Sequence, residues 1–437
     1  MELIDLSDYP ALRYAPLSDG EVLDRGLSIG RLPPGQYALA LRRGNTIHLA
    51  RDPVGCSKLF FGRNREGDLV VGNRVVRVWQ RGVPLAAIAS CPPGQVLEVS
   101  RDGAAKVAGQ ELCDVRADAG LSVAAFQVEV RATLDRAFAW LAREFEGCQF
   151  AVCLSGGLDS SLIASFAAAH LPGVAAVSFT YLDADDLRRH ALGAPAEQLA
   201  SASEDLKAAA RVASALGLPL RPVVRPGDAV AGAIGASVRL CQDWRDFNVH
   251  CATVNLFLAQ DIRAAFPGRK VVVLTGDLVN EYVCDYREER VGDAVYYKVP
   301  RVPADRRRRY FVRGLDAGDR EIGIFWAYGL IPCQPFALLA ESYMRVPAAM
   351  LDQPDIKWTL NAPLLAPEAL PNVSKTKTRA QVGGKDMGTL GIYHRLGVGE
   401  AVLRRIWREQ FPGEPATACD ELIEFGRYKP PRYTQGR

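Results

Sequence analysis

Up to about residue 110, apolar and polar positions alternate in short runs broken by Gly, Pro, Asn and Asp. "GQYALALRRGNTIHLARD" turns at Arg43, Gly44 and Asn45, "EGDLVVGN" turns at Glu66, Gly67 and Asp68, and "CPPGQVLEVSRDG" adds a last strand and turn. This spacing predicts hairpins in a mainly antiparallel, β-rich module. Between Arg116 and Leu121 the period changes. From Ser122 to Gly147 the apolar residues Phe126, Val130, Leu134, Phe138, Leu141 and Phe145 fall on one helical stripe, with Ser122 as N-cap and Gly147 as stop. We therefore place a boundary there, with residues 1–116 as one unit and 117–437 as another.

After this helix the pattern alternates between strand and helix. "CQFAVCL" (148–154), "VAAVSFTY" (174–181), "LPLRPVV" (218–224) and "KVVVLTG" (270–276) are short apolar runs, and "SSLIASFAAAHL" and "SEDLKAAARVASALG" between them have helical period. That order predicts an α/β unit with a doubly wound parallel sheet, whose ligands sit at the carboxyl ends of strands. Two such ends carry polar loops, residues 155–161 and 275–281.

Composition narrows the setting more than the partner. At 437 residues and 49% hydrophobic, the chain has room for two or three domains of roughly 100–200 residues. With 53 basic and 50 acidic residues, no overall field calls for nucleic acid or a membrane. The ten cysteines form no CxxC pair, and the start, "MELIDLSDYPALRYAP", has neither the basic nor the apolar region of a secretory signal. A soluble protein of enzyme size in a reducing cytoplasm is the expectation.

The stretch "VCLSGGLDSSLIASF" carries the chemistry. Glycines after a strand let a ligand approach the backbone, and the amides opening the next helix favour an anion, so phosphate is the natural occupant. Ser155, Ser160 and Ser161 add hydroxyls, whereas Asp159 beside phosphates calls for Mg²⁺. No lysine follows the glycines, so this is not the loop used for γ-phosphoryl transfer.

The string S-G-G-L-D-S-S resembles the signature of the PP-loop ATP pyrophosphatases, which cut ATP between the α- and β-phosphates. Further stretches resemble the asparagine synthetase family, including its β-lactam synthetase, carbapenam synthetase and lasso-peptide cyclase offshoots. They are "RDPVGCSKLFFG" (51–62), "CPPGQVLEV" (91–99), "TGDLVNEYVCDY" (275–286) and "PEALPNVSKTKTRAQVGG" (367–384). The resemblance implies a degenerate class II amidotransferase-like module followed by a synthetase domain. Asparagine synthetases proper carry a cysteine after Met1; here Glu2, Leu3 and Ile4 follow, and the nearest cysteine is Cys56. A module lacking its nucleophile makes no ammonia from glutamine.

The resemblance also implies the site. ATP would lie on Leu154, Ser155, Gly156, Gly157, Asp159 and Ser160, with Tyr181, Thr275 and Gly276 near its adenosine and α-phosphate. Mg²⁺ would be held by Asp159, Asn280 and Glu281, although the family has an aspartate at position 280 and an amide is the weaker ligand. Asp277 would accept a proton from, or bind, an attacking amine, and Lys377 or Lys375 would stabilise developing negative charge. The expected reaction is adenylation of a small-molecule carboxylate, with release of pyrophosphate, then condensation with an amine or ammonia in specialised metabolism. A homodimer is one open assembly.

Two other functions stay open on the sequence. A non-catalytic ATP-binding scaffold is favoured by Asn280 and the missing cysteine. Another PP-loop chemistry, such as tRNA modification, would call for basic, aromatic-bearing surfaces or paired cysteines, and neither is plain. "DRRRRY" (305–310) reads as a solvated helix face, and "DWRDFNVHCATVNLFLAQDIRAAF" (243–266), with His250 and Asn255, as a core helix that could border the acceptor pocket.

Overall fold

The computed structural model describes residues 2–437 except 8, 10, 101–102, 196–197, 298, 316–318, 376–387, 425–426 and 429–437. Eight strands come from the first part of the chain: β1 (Glu2–Asp5), β2 (Ala38–Arg43), β3 (Thr46–Arg51), β4 (Phe60–Arg63), β5 (Leu69–Gly72), β6 (Ala89–Ser90), β7 (Gln95–Ser100) and β8 (Gly103–Gly109). They form two four-stranded sheets, β1-β5-β4-β6 and β2-β3-β7-β8. Every pairing is antiparallel except β1 with β5. Alternate residues pack between the sheets, with Ile47, Leu49, Leu97 and Val99 meeting Phe61, Leu69 and Val71.

The helix Val123–Glu144 follows, with the Ser122 hydroxyl accepting from the Ala125 amide. Five of its six stripe residues are fully buried; Phe145 is partly buried just past the end. Four strands then build a parallel sheet, β9 (Gln149–Cys153), β10 (Ala175–Tyr181), β11 (Leu220–Arg225) and β12 (Val271–Leu274). After a short hairpin, β13 (Glu289–Val291) and β14 (Ala294–Tyr296), the strand β15 (Ile331–Cys333) completes the sheet. Its order is β11-β10-β9-β12-β15.

These strands are apolar throughout because both faces are covered. Phe150, Val152, Val272 and Leu274 face the helices Val123–Glu144 and Leu158–His170, whereas Ala151, Val271 and Val273 face the helices Ala229–Cys241 and Asp246–Ala265. Growth outward from β9 through β10 and β11, then from β12 to β15, opens a crevice between the carboxyl ends of β9 and β12. Both polar loops lie there.

The arginine run departs from its sequence reading. The helix Ala304–Gly314 buries Arg308, which donates to the carbonyls of Tyr343, Met344 and Val346. Arg309 and Arg313 pair with Asp114 and Glu111, so the run ties segments together. His250 is buried against Tyr297, and burial lowers its pKa to about 3, leaving a neutral structural ring. Among the described residues no helix is long and apolar enough to cross a membrane. All ten cysteines are free.

Candidate active site

Strand β9 delivers Leu154, whose amide donates to Val177 of β10, into the glycine loop. Gly156 has φ +72°, and a Cβ there would lie 2.4 Å from the Ala208 side chain, so this turn requires glycine. Gly157 caps the helix Leu158–His170 without a side-chain bond. The loop is closed on its own hydroxyls. Ser160 Oγ accepts from the Ser155 amide at 3.1 Å and lies 3.0 Å from Ser155 Oγ. A phosphate at this helix start would take over donors that now satisfy one another.

The second loop touches the first, backbone to backbone. A Cβ on Gly276 would fall 2.7 Å from the Ser160 nitrogen and 2.9 Å from the Asp159 carbonyl carbon. Thr275 is held from the other side, its amide donating to Cys333 of β15. Leu278 follows with φ +92°, a left-handed conformation unusual for a side-chain-bearing residue, and starts the short helix Val279–Val283.

A residue that sequence reasoning missed joins the two loops. Lys357, in the helix Ile356–Asn361, places Nζ 2.5 Å from Asp159 Oδ2, 2.6 Å from Asn280 Oδ1 and 3.4 Å from Asp285 Oδ2. Asp159 Oδ1 is buried with no hydrogen-bond partner among the described residues. Asp159 and Asn280 therefore share one cation, here an ammonium. Glu281, the third residue expected at the metal, instead pairs with Arg320 at 2.7 Å and accepts from the Tyr286 hydroxyl at 2.5 Å. The described residues contain no cluster of three or more His, Cys, Asp or Glu suited to a metal.

Around this junction the carboxyls differ in state. Burial pushes Asp277 up, and the Asp159 and Glu281 charges add to that, against the pull of Arg320 and the Thr275 hydroxyl. Burial lifts Glu321 to about 8, opposed by Arg320 and reinforced by Asp277. Glu281 is also buried, but Arg320 and the Tyr286 hydroxyl hold it below its usual value. The result is one carboxylate held below its ordinary value beside two carboxyls pushed above theirs.

Glu281, Arg320 and Glu321 also line a cavity of about 460 Å³. Its walls come from the starts of the helices at 246 and 322, the residues around 286 and 297, the end of the helix Ala304–Gly314, and residues 54–58 of the β-rich module. That last wall is rigid. Asp52 accepts from the amides of Val54, Gly55, Cys56 and Ser57, and Arg51 donates to the carbonyls of Gly55 and Ser57. Burial pushes the Cys56 thiol well above its ordinary value, so it offers no thiolate near neutral pH.

The late lysine segment approaches the glycine loop. The Ser374 amide donates to the Gly156 carbonyl at 2.9 Å, and Lys375 follows, its ammonium 5.4 Å from the centre of the Trp358 ring. Lys377 lies outside the described residues. Tyr181, at the end of β10, is buried, its hydroxyl 2.8 Å from that of Thr389. The structure thus groups Ser155, Gly156, Gly157, Asp159, Ser160, Thr275, Gly276 and Asn280 at one junction and turns Glu281 to the neighbouring cavity.

Residues 129–316 match the family model described as asparagine synthase. Among solved structures, NMN synthetase from Francisella tularensis is 16% identical, over 66% of this chain and 93% of its own, at a TM-score of 0.27. The glutamine-dependent NAD+ synthetase from Acinetobacter baumannii, solved with ADP, is 14% identical, over 94% of this chain and 65% of its own, at a TM-score of 0.29. No curated protein matches. The matched range contains the glycine loop, the 275–281 loop and the strands β9 to β12 that aim them. Over residues 129–316 the chain is therefore similar to the asparagine synthase family.

Proposed function

We propose that the protein is an AMP- and pyrophosphate-forming ligase that adenylates a small-molecule carboxylate and joins it to an amine, as an amide or lactam, in specialised metabolism. The observation that carries the reading is the backbone contact of Gly276 with Asp159 and Ser160 at the crevice of the parallel sheet. It sets two strand-end loops on either side of one small volume, where a phosphorus atom and its attacking oxygen can be held together.

In this reading ATP rests its β- and γ-phosphates on the amides of Gly156 and Gly157 and on the Ser155 and Ser160 hydroxyls. Adenosine lies near the backbone of Leu154 and Tyr181, and the α-phosphate near Thr275 and Gly276. The cation already shared by Asp159 and Asn280, together with an Asp159 Oδ1 that has no hydrogen-bond partner among the described residues, supports a place for Mg²⁺ held by those two residues. Bound there, Mg²⁺ would neutralise phosphate oxygens. Lys357 would then leave Asp159 for the phosphates.

A substrate carboxylate oxygen attacks the α-phosphorus, and pyrophosphate leaves with the electrons of the broken P–O bond. The amine nitrogen then attacks the acyl carbon, AMP leaves, and Asp277 or Glu321 takes the amine's proton. Lys375 and Lys377 would stabilise the charge on the acyl oxygen. Both buried carboxyls suit this role, since their raised affinity for protons makes them better bases when ionised.

The test is pyrophosphate release from Mg²⁺ and ATP over pooled carboxylic acids, with ammonium, glutamine or pooled amines, identifying the nucleotide product. Carboxylate-dependent AMP, lost in Asp159→Ala, is expected. ADP and phosphate as products would refute the reading. ATP binding without turnover would favour a non-catalytic nucleotide-binding protein, in which Lys357 permanently bridges Asp159 and Asn280.

A further inference from the structure

The cavity beside the junction has a chemical character of its own. Five rings, Phe247, Tyr286, Tyr297, Tyr310 and Phe311, give it an aromatic lining, and its volume of about 460 Å³ lies in the range of small-molecule sites. Within it Arg320 faces two carboxyls, Glu281 and Glu321. Glu281 is only 3% exposed, and among the described residues its Oε2 has no hydrogen-bond partner. A buried carboxylate oxygen without a donor among the described residues calls for a partner carrying N–H groups, best a cationic one.

We propose that this cavity takes the amine to be acylated, as an organic primary amine with an aromatic or otherwise apolar body, its ammonium on Glu281 Oε2 and its body among the rings. Residues 54–58 of the β-rich module then limit how large that body can be, which gives the module a part in substrate selection. The inference rests on the ligase reading above. Ammonia would need neither the volume nor the rings. Glu281 and Leu278 line the cavity at its junction end, so the amine lies toward the site of acyl transfer. The ammonium gives one proton to Glu321 or Asp277 in its ionised form, and the freed lone pair forms the C–N bond as the acyl C–O bond to AMP breaks. The second N–H proton then leaves to the other of these two carboxylates or to the departing AMP phosphate, which gives the neutral amide.

Titration calorimetry on the full chain with 2-phenylethylamine, 2-phenylethanol, phenylacetate and methylamine tests this. The phenylethylamine should bind about tenfold or more tightly than each of the others, the scale of one hydrogen-bonded charge. Glu281→Gln should weaken the amine about tenfold and leave the alcohol unchanged. Gly314→Leu, at a lining position where a Cβ meets nothing within 4 Å, should weaken amine and alcohol alike. Equal binding of alcohol or phenylacetate, no amine binding, or no effect of either substitution overturns the proposal. Should Glu281→Gln fail to fold, Gly314→Leu decides alone. Amine binding in a protein that forms no AMP supports the pocket and sinks the ligase reading. AMP formed with ammonium but with none of the amines does the reverse.

Discussion

Replacing Lys357 by Met removes the ammonium that bridges Asp159 and Asn280. The Lys357 and Asp159 side chains are 12% and 11% exposed, so solvent screens the pair little. Among the described residues Asp159 Oδ1 already lacks a hydrogen-bond partner, so the substitution leaves the buried carboxylate without its ammonium. Breaking one side of a buried pair costs about 3–5 kcal/mol. Because Asp159 borders the crevice, where water reaches an emptied space, we expect about 3 kcal/mol, the lower end of that range. The assay is urea unfolding followed by tryptophan fluorescence, comparing midpoints at unchanged slope. Asp159→Asn in the Lys357→Met background should recover most of the loss, since the offending charge is gone. MgCl₂ should stabilise Lys357→Met more than the wild type, because the competing ammonium is absent. A Lys357→Met protein within about 0.5 kcal/mol of wild type, or a loss that Asp159→Asn fails to recover, would refute the reasoning.

Two further predictions concern the same neighbourhood. Gly276→Ala puts a methyl 2.7 Å from the Ser160 nitrogen and should cost about 1–3 kcal/mol of stability. It should also lower pyrophosphate release at least tenfold, and normal turnover would show that the two loops need not touch. Glu321 is a carboxyl whose pKa rises from 4.5 to about 8 on folding. Across that window the folded chain keeps a proton that the unfolded chain has lost, so stability falls as pH rises, by at most about 1.4 kcal/mol per pH unit. The fall should level off above about pH 8, and Glu321→Gln should flatten it. Parallel stability profiles for the two proteins between pH 5 and 8 would contradict the assignment.

What the sequence reveals here depends on the range of the contact. The helix Val123–Glu144 is legible because a stripe at 3.6 residues is a local signal, and β9 and β12 because a sheet covered on both faces needs unbroken apolar runs. The glycine loop is legible because its string follows a strand and opens a helix. The arginine run misleads because a string of charges does not show which one faces inward, and Arg308 does. Asn280 and Glu281 are neighbours in sequence, but successive side chains on a helix point about 100° apart. One therefore meets Lys357 and the other Arg320. Lys357 itself is 77 residues from Asn280 and sits in a six-residue helix with no motif around it. Its role also accounts for the departure at position 280. An amide oxygen there accepts from the ammonium without adding a charge, and Lys357 already faces the carboxylates of Asp159 and Asp285. A carboxylate there would set a further negative charge beside the two that Lys357 already faces. Asn280 and Lys357 thus read as a matched pair that ties the two loops together across the junction.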